Sequence, residues 1–219
     1  MIKKNVQKIL QEIPQDVLLV AAVKSRSTYE IKEAVDAGVK IIGENYLQET
    51  EKLFPCIERI VKWHYIGSIQ KNKIKKIVKI FDMIETVDSV DVLREIDKRA
   101  KGADKIMPVL IEVNSAREGQ KSGVYPEQVE QLIDSAVPFR NVLIQGLMTM
   151  WPFVDDPEKL RPYFKLTKEL FDYLKAYETE NIQMKYLSMG MSDSYKIAIQ
   201  EGANIVRIGT LIFGQRHNR

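Results

Sequence analysis

The sequence predicts a (β/α)8 barrel, and three observations carry that prediction. Short apolar runs alternate with longer amphipathic stretches, the pattern of repeated βα units around a parallel sheet. There are eight such runs, and 219 residues, small for the fold, lie within its range. Gly, Ser, Asn, Thr, Lys or Arg gather where the runs end, as a barrel with its active site at the carboxyl ends of its strands requires. An open doubly wound sheet is the alternative. That fold usually has a glycine-rich phosphate loop after its first strand, and the "VKSRSTYE" found there has no glycine.

The opening "MIKKNVQKILQEI" reads as an amphipathic, charged helix and lacks the long apolar core of a signal peptide. "VLLVAAV" (17–23) is unbroken in its apolar character, as a strand buried on both faces is, and it leads straight into Lys24. A helix over 28–37 ends at the glycine of "DAGVK", and "KIIGEN" (40–45) forms the second strand, ending on Asn45. "KWHYIG" (62–67) is the third, followed by a helix over 70–79; "FDMIETV" (81–87) is the fourth, followed by a helix over 89–99. "IMPVLIEVN" (106–114) and "NVLIQGLMTM" (141–150) flank a helix over 126–135 that opens on proline. A helix over 157–176 leads to "MKYLSMG" (184–190), and a helix over 192–202 leads to the last strand, "NIVRIGT" (204–210). No Gly/Ser/Pro-rich linker or low-complexity tract interrupts the series, so one domain over 1–219 is expected.

Charge and composition narrow the function. The 33 basic and 30 acidic residues nearly cancel to a formal +3, weak support for nucleic-acid or membrane binding and consistent with a small-metabolite ligand. The most basic segment, "QKNKIKKIVKIF", fits a helix with lysines in solvent and Ile, Val and Phe inside. A single cysteine, Cys56, excludes an internal disulfide and a Cys-rich zinc site. Two histidines, His64 inside a strand and His217 in the terminal "RHNR", give no metal site. No apolar run approaches the roughly 18 residues needed to span a bilayer. A cytoplasmic protein is expected, and, without heptads or a large apolar stripe, a monomer.

The strand ends carry the chemistry. An amine at the end of an apolar strand is partly desolvated, which favours the free base that attacks an aldehyde or ketone; Lys24 is therefore a candidate for Schiff-base formation, against the reading of a strand-end lysine reaching for water. "SMGMSDSYKIA" passes through a glycine turn to a helix expected near Ser192, and "RIGTLIFG" repeats the arrangement with Gly209 and Thr210. Loops after the seventh and eighth strands of barrels commonly hold phosphate, although either stretch could serve as turn chemistry alone. Together with a reactive lysine they suggest pyridoxal 5′-phosphate. Arg207 would then stand near the pyridine nitrogen and keep it unprotonated, or belong to a structural ion pair. Met148, Met150, Met189 and Met191 sit at two strand ends, where they could line a pocket or pack the barrel.

Seven motifs in order resemble the YggS/PROSC group of pyridoxal-phosphate homeostasis proteins: "VAAVKS", "IGENYLQE", "WHYIGSIQKNK", "KSG", "GLMTM", "LSMGMSDS" and "VRIGTLIFG". The resemblance covers nearly the whole chain. It implies an alanine-racemase-type barrel that carries pyridoxal 5′-phosphate on Lys24, with Arg207 beside the ring nitrogen, Ser192, Gly209 and Thr210 around the phosphate, and Asn45 near the ring. It further implies a cofactor carrier or regulator of cofactor supply and amino-acid balance, with amino acids and acceptor enzymes as partners and no catalytic residues. The chain departs from the group's pattern at Val23, where serine is usual, and at Arg26, where a second lysine followed by proline is common. Lys121 in "KSG" is a further amine in a loop. The alternatives are an amino-acid racemase using the same cofactor, or a Schiff-base aldolase acting on a sugar phosphate. The sequence given ends at Arg219, directly after the barrel, so no second domain that would supply a racemase's other base is expected.

Overall fold

A computed structural model describes residues 1–57, 61–151 and 154–215. Eight parallel strands close a barrel in sequence order: β1 (Leu18–Ala22), β2 (Ile41–Glu44), β3 (Lys62–Tyr65), β4 (Met83–Val87), β5 (Met107–Val113), β6 (Val142–Thr149), β7 (Ile182–Ser188) and β8 (Ile205–Ile208). The seam is made by β1 and β8, with Val20 opposite Arg207 and Ala21 opposite Ile208. The helices are α1 (Ile2–Glu12), α2 (Thr28–Asp36), α3 (Leu47–Ile57), α4 (Ile74–Ile80), α5 (Val90–Lys101), α6 (Val129–Ala136), α7 (Arg161–Leu174), α8 (Tyr195–Gln200) and α9 (Thr210–Phe213).

The strands are largely buried on both faces because the barrel has two cores, although β7 exposes Gln183 and Lys185. Outward residues such as Leu19, Val23, Ile42, Trp63 and Ile84 pack against buried helix faces, for example Val92, Leu93, Ile96 and Ala100 of α5. Inward residues Val20, Ile41, Met83, Leu110, Met148 and Ile205 form a separate plug that fills the barrel's lower part. Met148 belongs to that plug and Met189 to the outer core, so these two methionines pack the barrel. The lysine-rich helix behaves as expected, burying Ile74, Ile77 and Val78. Between β6 and β7 the register shifts at Gly146, whose φ is +138° and where a Cβ would fall 1.9 Å from the Tyr186 carbonyl oxygen, so glycine is required there.

Several element bounds differ from the sequence reading, the seventh strand, for example, running over Ile182–Ser188 rather than 184–190. The helix expected from residue 192 begins at Tyr195, because Gly190 turns with φ +97° and Ser194 closes a turn on Met191 by accepting its N–H at 3.2 Å. The last strand stops at Ile208 rather than 210, since the Gly209 carbonyl already accepts the helical N–H groups of Ile212 and Phe213. Helix α3, after the second strand as the βα pattern expects, carries Pro55 within it. His217 lies outside the described residues. Among the described residues no helix is long and apolar enough to cross a membrane, and no group of three or more His, Cys, Asp or Glu could hold a metal ion.

Candidate functional site

The proposed site residues converge on the carboxyl ends of four adjacent strands, β7, β8, β1 and β2. Lys24 follows β1 by two residues and is half-buried. The buried Val23 before it packs in the outer core, which suits an apolar residue at the position where serine is usual. The turn after Lys24 is held from two sides. Ser25 adopts φ +61° and donates its N–H to Glu49 Oε2 at 2.8 Å, and the Arg26 N–H returns to the Val23 carbonyl at 2.9 Å. Asn45, next to β2, donates Nδ2 to the Ile66 carbonyl at 3.3 Å, while its Oδ1 is buried with no hydrogen-bond partner among the described residues.

The loops after β7 and β8 are tied to each other and to β1. Ser192 Oγ accepts the Leu211 N–H at 3.3 Å. A Cβ at Gly209 would lie 3.2 Å from the Ala22 carbonyl, a close approach in which even a methyl group would crowd the strand that leads to Lys24. Thr210 is exposed beside it. On the helix side of these loops a cavity of about 560 Å³ opens between α1 and α8, lined in part by Ile9, Ser192, Tyr195 and Leu211.

Beneath the mouth lies a buried polar chain. Arg207, only 4% exposed, donates Nη1 to the Ser188 hydroxyl at 2.6 Å and carbonyl at 3.0 Å, and Nη2 to the Thr149 carbonyl at 2.8 Å. Ser188 Oγ donates in turn to Glu85 Oε2 at 2.6 Å, and His64 Nδ1 donates to Glu85 Oε1 at 2.6 Å. Burial pushes the Glu85 carboxyl up, but His64, Arg207 and Ser188 outweigh it and hold the group below its ordinary value. Arg207 is thus a member of a structural ion pair with Glu85, at 3.9 Å, as well as a strand-end residue of the mouth. His64 thus lies in β3 as a buried histidine hydrogen-bonded to β4. Burial raises three further carboxyls: Glu44 and Glu112 are each pushed up to about 7, Glu44 opposed by the N–H groups of Tyr46 and Asn45 and Glu112 raised further by Asp88, whose own carboxyl burial also pushes up.

Sequence reading passed over Glu85, Ser188 and Glu44 as functional residues. The available signal was a lone carboxylate inside an apolar strand, in "DMIETV" and in "IIGEN". Lys121 stands apart, exposed in the loop after β5.

The barrel with this polar mouth matches a known class: the family described as alanine racemase, N-terminal domain, matches residues 1–217. A curated pyridoxal phosphate homeostasis protein of Aquifex aeolicus is 40% identical over 199 residues, covering 90% of this chain and 86% of the relative. Another, from Pasteurella multocida, is 33% identical and covers 98% and 94%. The solved structure of PipY from Synechococcus elongatus, with PLP bound, superposes with a TM-score of 0.90 at 26% identity, covering 98% of this chain and 100% of that one. The chain belongs to the pyridoxal phosphate homeostasis protein family.

Proposed function

We propose that this protein binds pyridoxal 5′-phosphate at the barrel mouth through Lys24 and serves cytoplasmic cofactor homeostasis, holding and releasing the cofactor without turning over a substrate. The observation that supports this reading is that the strand leading to Lys24 lies against Gly209 at Ala22, across the β1–β8 seam, while Ser192 is tied to the helix that begins at Thr210. The names and the bound ligand of the relatives support it.

The residues present suit the group. Asn45 Oδ1 is a buried acceptor with no partner among the described residues, Gly209 leaves its backbone approachable, and Ser192 and Thr210 supply hydroxyls. Bound there, the cofactor supplies an aldehyde that an amine can take up and a ring able to withdraw electrons. Lys24 would hold the aldehyde carbon, Ser192 and Thr210 the phosphate, and Arg207 would face the ring nitrogen. Arg207 keeps its charge next to Glu85, and a guanidinium donates hydrogen bonds without surrendering a proton. Arg207 so placed would leave the ring nitrogen unprotonated and a weaker electron acceptor, which favours storage over catalysis. Amino acids and acceptor enzymes would be the partners that remove the cofactor from Lys24.

The test is the visible spectrum together with borohydride reduction. The purified protein should be yellow, Lys24→Ala should be colourless, and reduction should fix a pyridoxyl mass on the peptide containing Lys24. A colourless wild-type protein, or a label found mainly on Lys121 or Lys71, would reject the reading.

A further inference from the structure

Arg26 occupies the position where the resemblance leads one to expect a second lysine, and its surroundings give it a different task. Its side chain is 9% exposed. Nη1 donates to the Phe213 carbonyl at 3.2 Å and Nη2 to the Gly214 carbonyl at 2.5 Å, partners 187 and 188 residues away in the chain. The guanidinium lies over the Phe213 ring, with Cζ 5.5 Å from its centroid, and Nη1 is 3.3 Å from Glu30 Oε1. Glu30 is itself fixed, because its Oε2 accepts the Ser27 N–H and hydroxyl at 2.8 Å in the capping box that starts α2.

These contacts have one geometric consequence. Arg26 belongs to the turn that presents Lys24, and the carbonyls it binds end α9, the helix that starts at Thr210 after Gly209. The two segments lie on opposite sides of the β1–β8 seam. A guanidinium reaches the two carbonyls from two separate nitrogens while its plane stacks on the Phe213 ring; a lysine ammonium has a single nitrogen and no planar face, and reproduces the arrangement only in part. A guanidinium also stays protonated, so it cannot accept an aldehyde from Lys24 as a second amine could.

We propose that Arg26 is a positioning residue that fastens the Lys24 turn to the Gly209–Thr210 segment and slows release of the bound phosphorylated aldehyde; the release half rests on the function proposed above. Opening the mouth at this seam then requires breaking two charge-assisted hydrogen bonds and a ring contact. Loss of the fork should speed release about tenfold, the scale of one such bond lost.

The experiment uses Arg26→Ala and Arg26→Lys with two measurements. The first is amide hydrogen exchange in ligand-free protein over peptides covering 23–27 and 209–214. The second is decay of the visible band of protein loaded with pyridoxal 5′-phosphate after rapid exchange into cofactor-free buffer. In Arg26→Ala, exchange should rise in both segments but not in β4 and β5, and the band should decay about tenfold faster. Arg26→Lys should fall between the two. Unchanged exchange at 209–214, or faster exchange throughout the barrel, would overturn the fastening role. Raised local exchange with an unchanged decay rate would overturn the release role. A wild-type protein that takes up no cofactor would overturn the function proposed above and the release role with it, while the exchange data would still judge the fastening.

Discussion

Arg207 and Ser188 share two hydrogen bonds, from one guanidinium nitrogen to the serine hydroxyl at 2.6 Å and to its carbonyl at 3.0 Å. The same hydroxyl donates onward to Glu85, so the arginine's position is set from β7 and β4 as well as from its own strand. An arginine held this way is less a mobile ligand group than a fixed part of the barrel's interior.

Arg207→Ala is therefore expected to have two effects. It removes one of the two cationic neighbours of a fully buried Glu85 carboxylate, which keeps its hydrogen bond from His64, and breaking into such a buried charge network costs roughly 3 kcal/mol, which denaturant unfolding of the ligand-free protein would read. It should also weaken cofactor retention more than Ser192→Ala or Thr210→Ala, each of which removes a single neutral group and should cost about two- to tenfold in affinity. Equal affinities across wild type and all three variants would place the ligand elsewhere.

Stability should carry a signature of the buried carboxyls. Glu44 and Glu112 are raised to about 7 in the folded protein from an ordinary value of 4.5. Between those limits the folded state binds more protons than the unfolded one, so their contribution is complete below about 4.5 and is lost as pH rises through about 7. Thermal unfolding of Glu44→Gln and Glu112→Gln across pH 4.5 to 8 should show a smaller decline with rising pH than wild type. An identical pH dependence in wild type and both variants would show that neither carboxyl is raised.

Amino acids should exchange their α-protons no faster with the protein than with free cofactor. In the proposed site Arg207, a charged donor kept in place by Ser188, Thr149 and Glu85, would leave the ring nitrogen no proton with which to stabilise negative charge at the α-carbon, and Lys24 alone would serve only one face of the substrate. Deuterium incorporation from heavy water into alanine and serine, followed by NMR, measures it. Robust exchange that disappears in Lys24→Ala would replace the storage reading with a racemase.

The barrel was legible from sequence because a strand buried on both faces is mostly apolar, so each of the eight appeared as a short apolar-rich run with chemistry-bearing residues at its end. Lys24, Asn45, Ser192, Arg207, Gly209 and Thr210 could be picked out for the same reason: each stands at or just beyond the end of a run. Exact ends were harder to read. The start of α8 at Tyr195 depends on a turn closed by Ser194, and Ser192 and Ser194 look alike from composition.

What only the tertiary structure decided are the pairings between distant segments. Glu85 lies 103 residues from Ser188, and Arg26 lies 188 from Gly214. Periodicity reports whether a side chain is buried but not what it meets, because barrel closure and the register between strands choose the neighbour. A glutamate inside an apolar strand signals that a partner must exist, since an unpaired buried charge is too costly. That the partners are His64, Ser188 and Arg207 followed only once β3, β4, β7 and β8 were closed around one interior. Likewise, "KSRS" announces a cation two residues beyond Lys24, and only the seam between β1 and β8 places its guanidinium on the carbonyls that end α9.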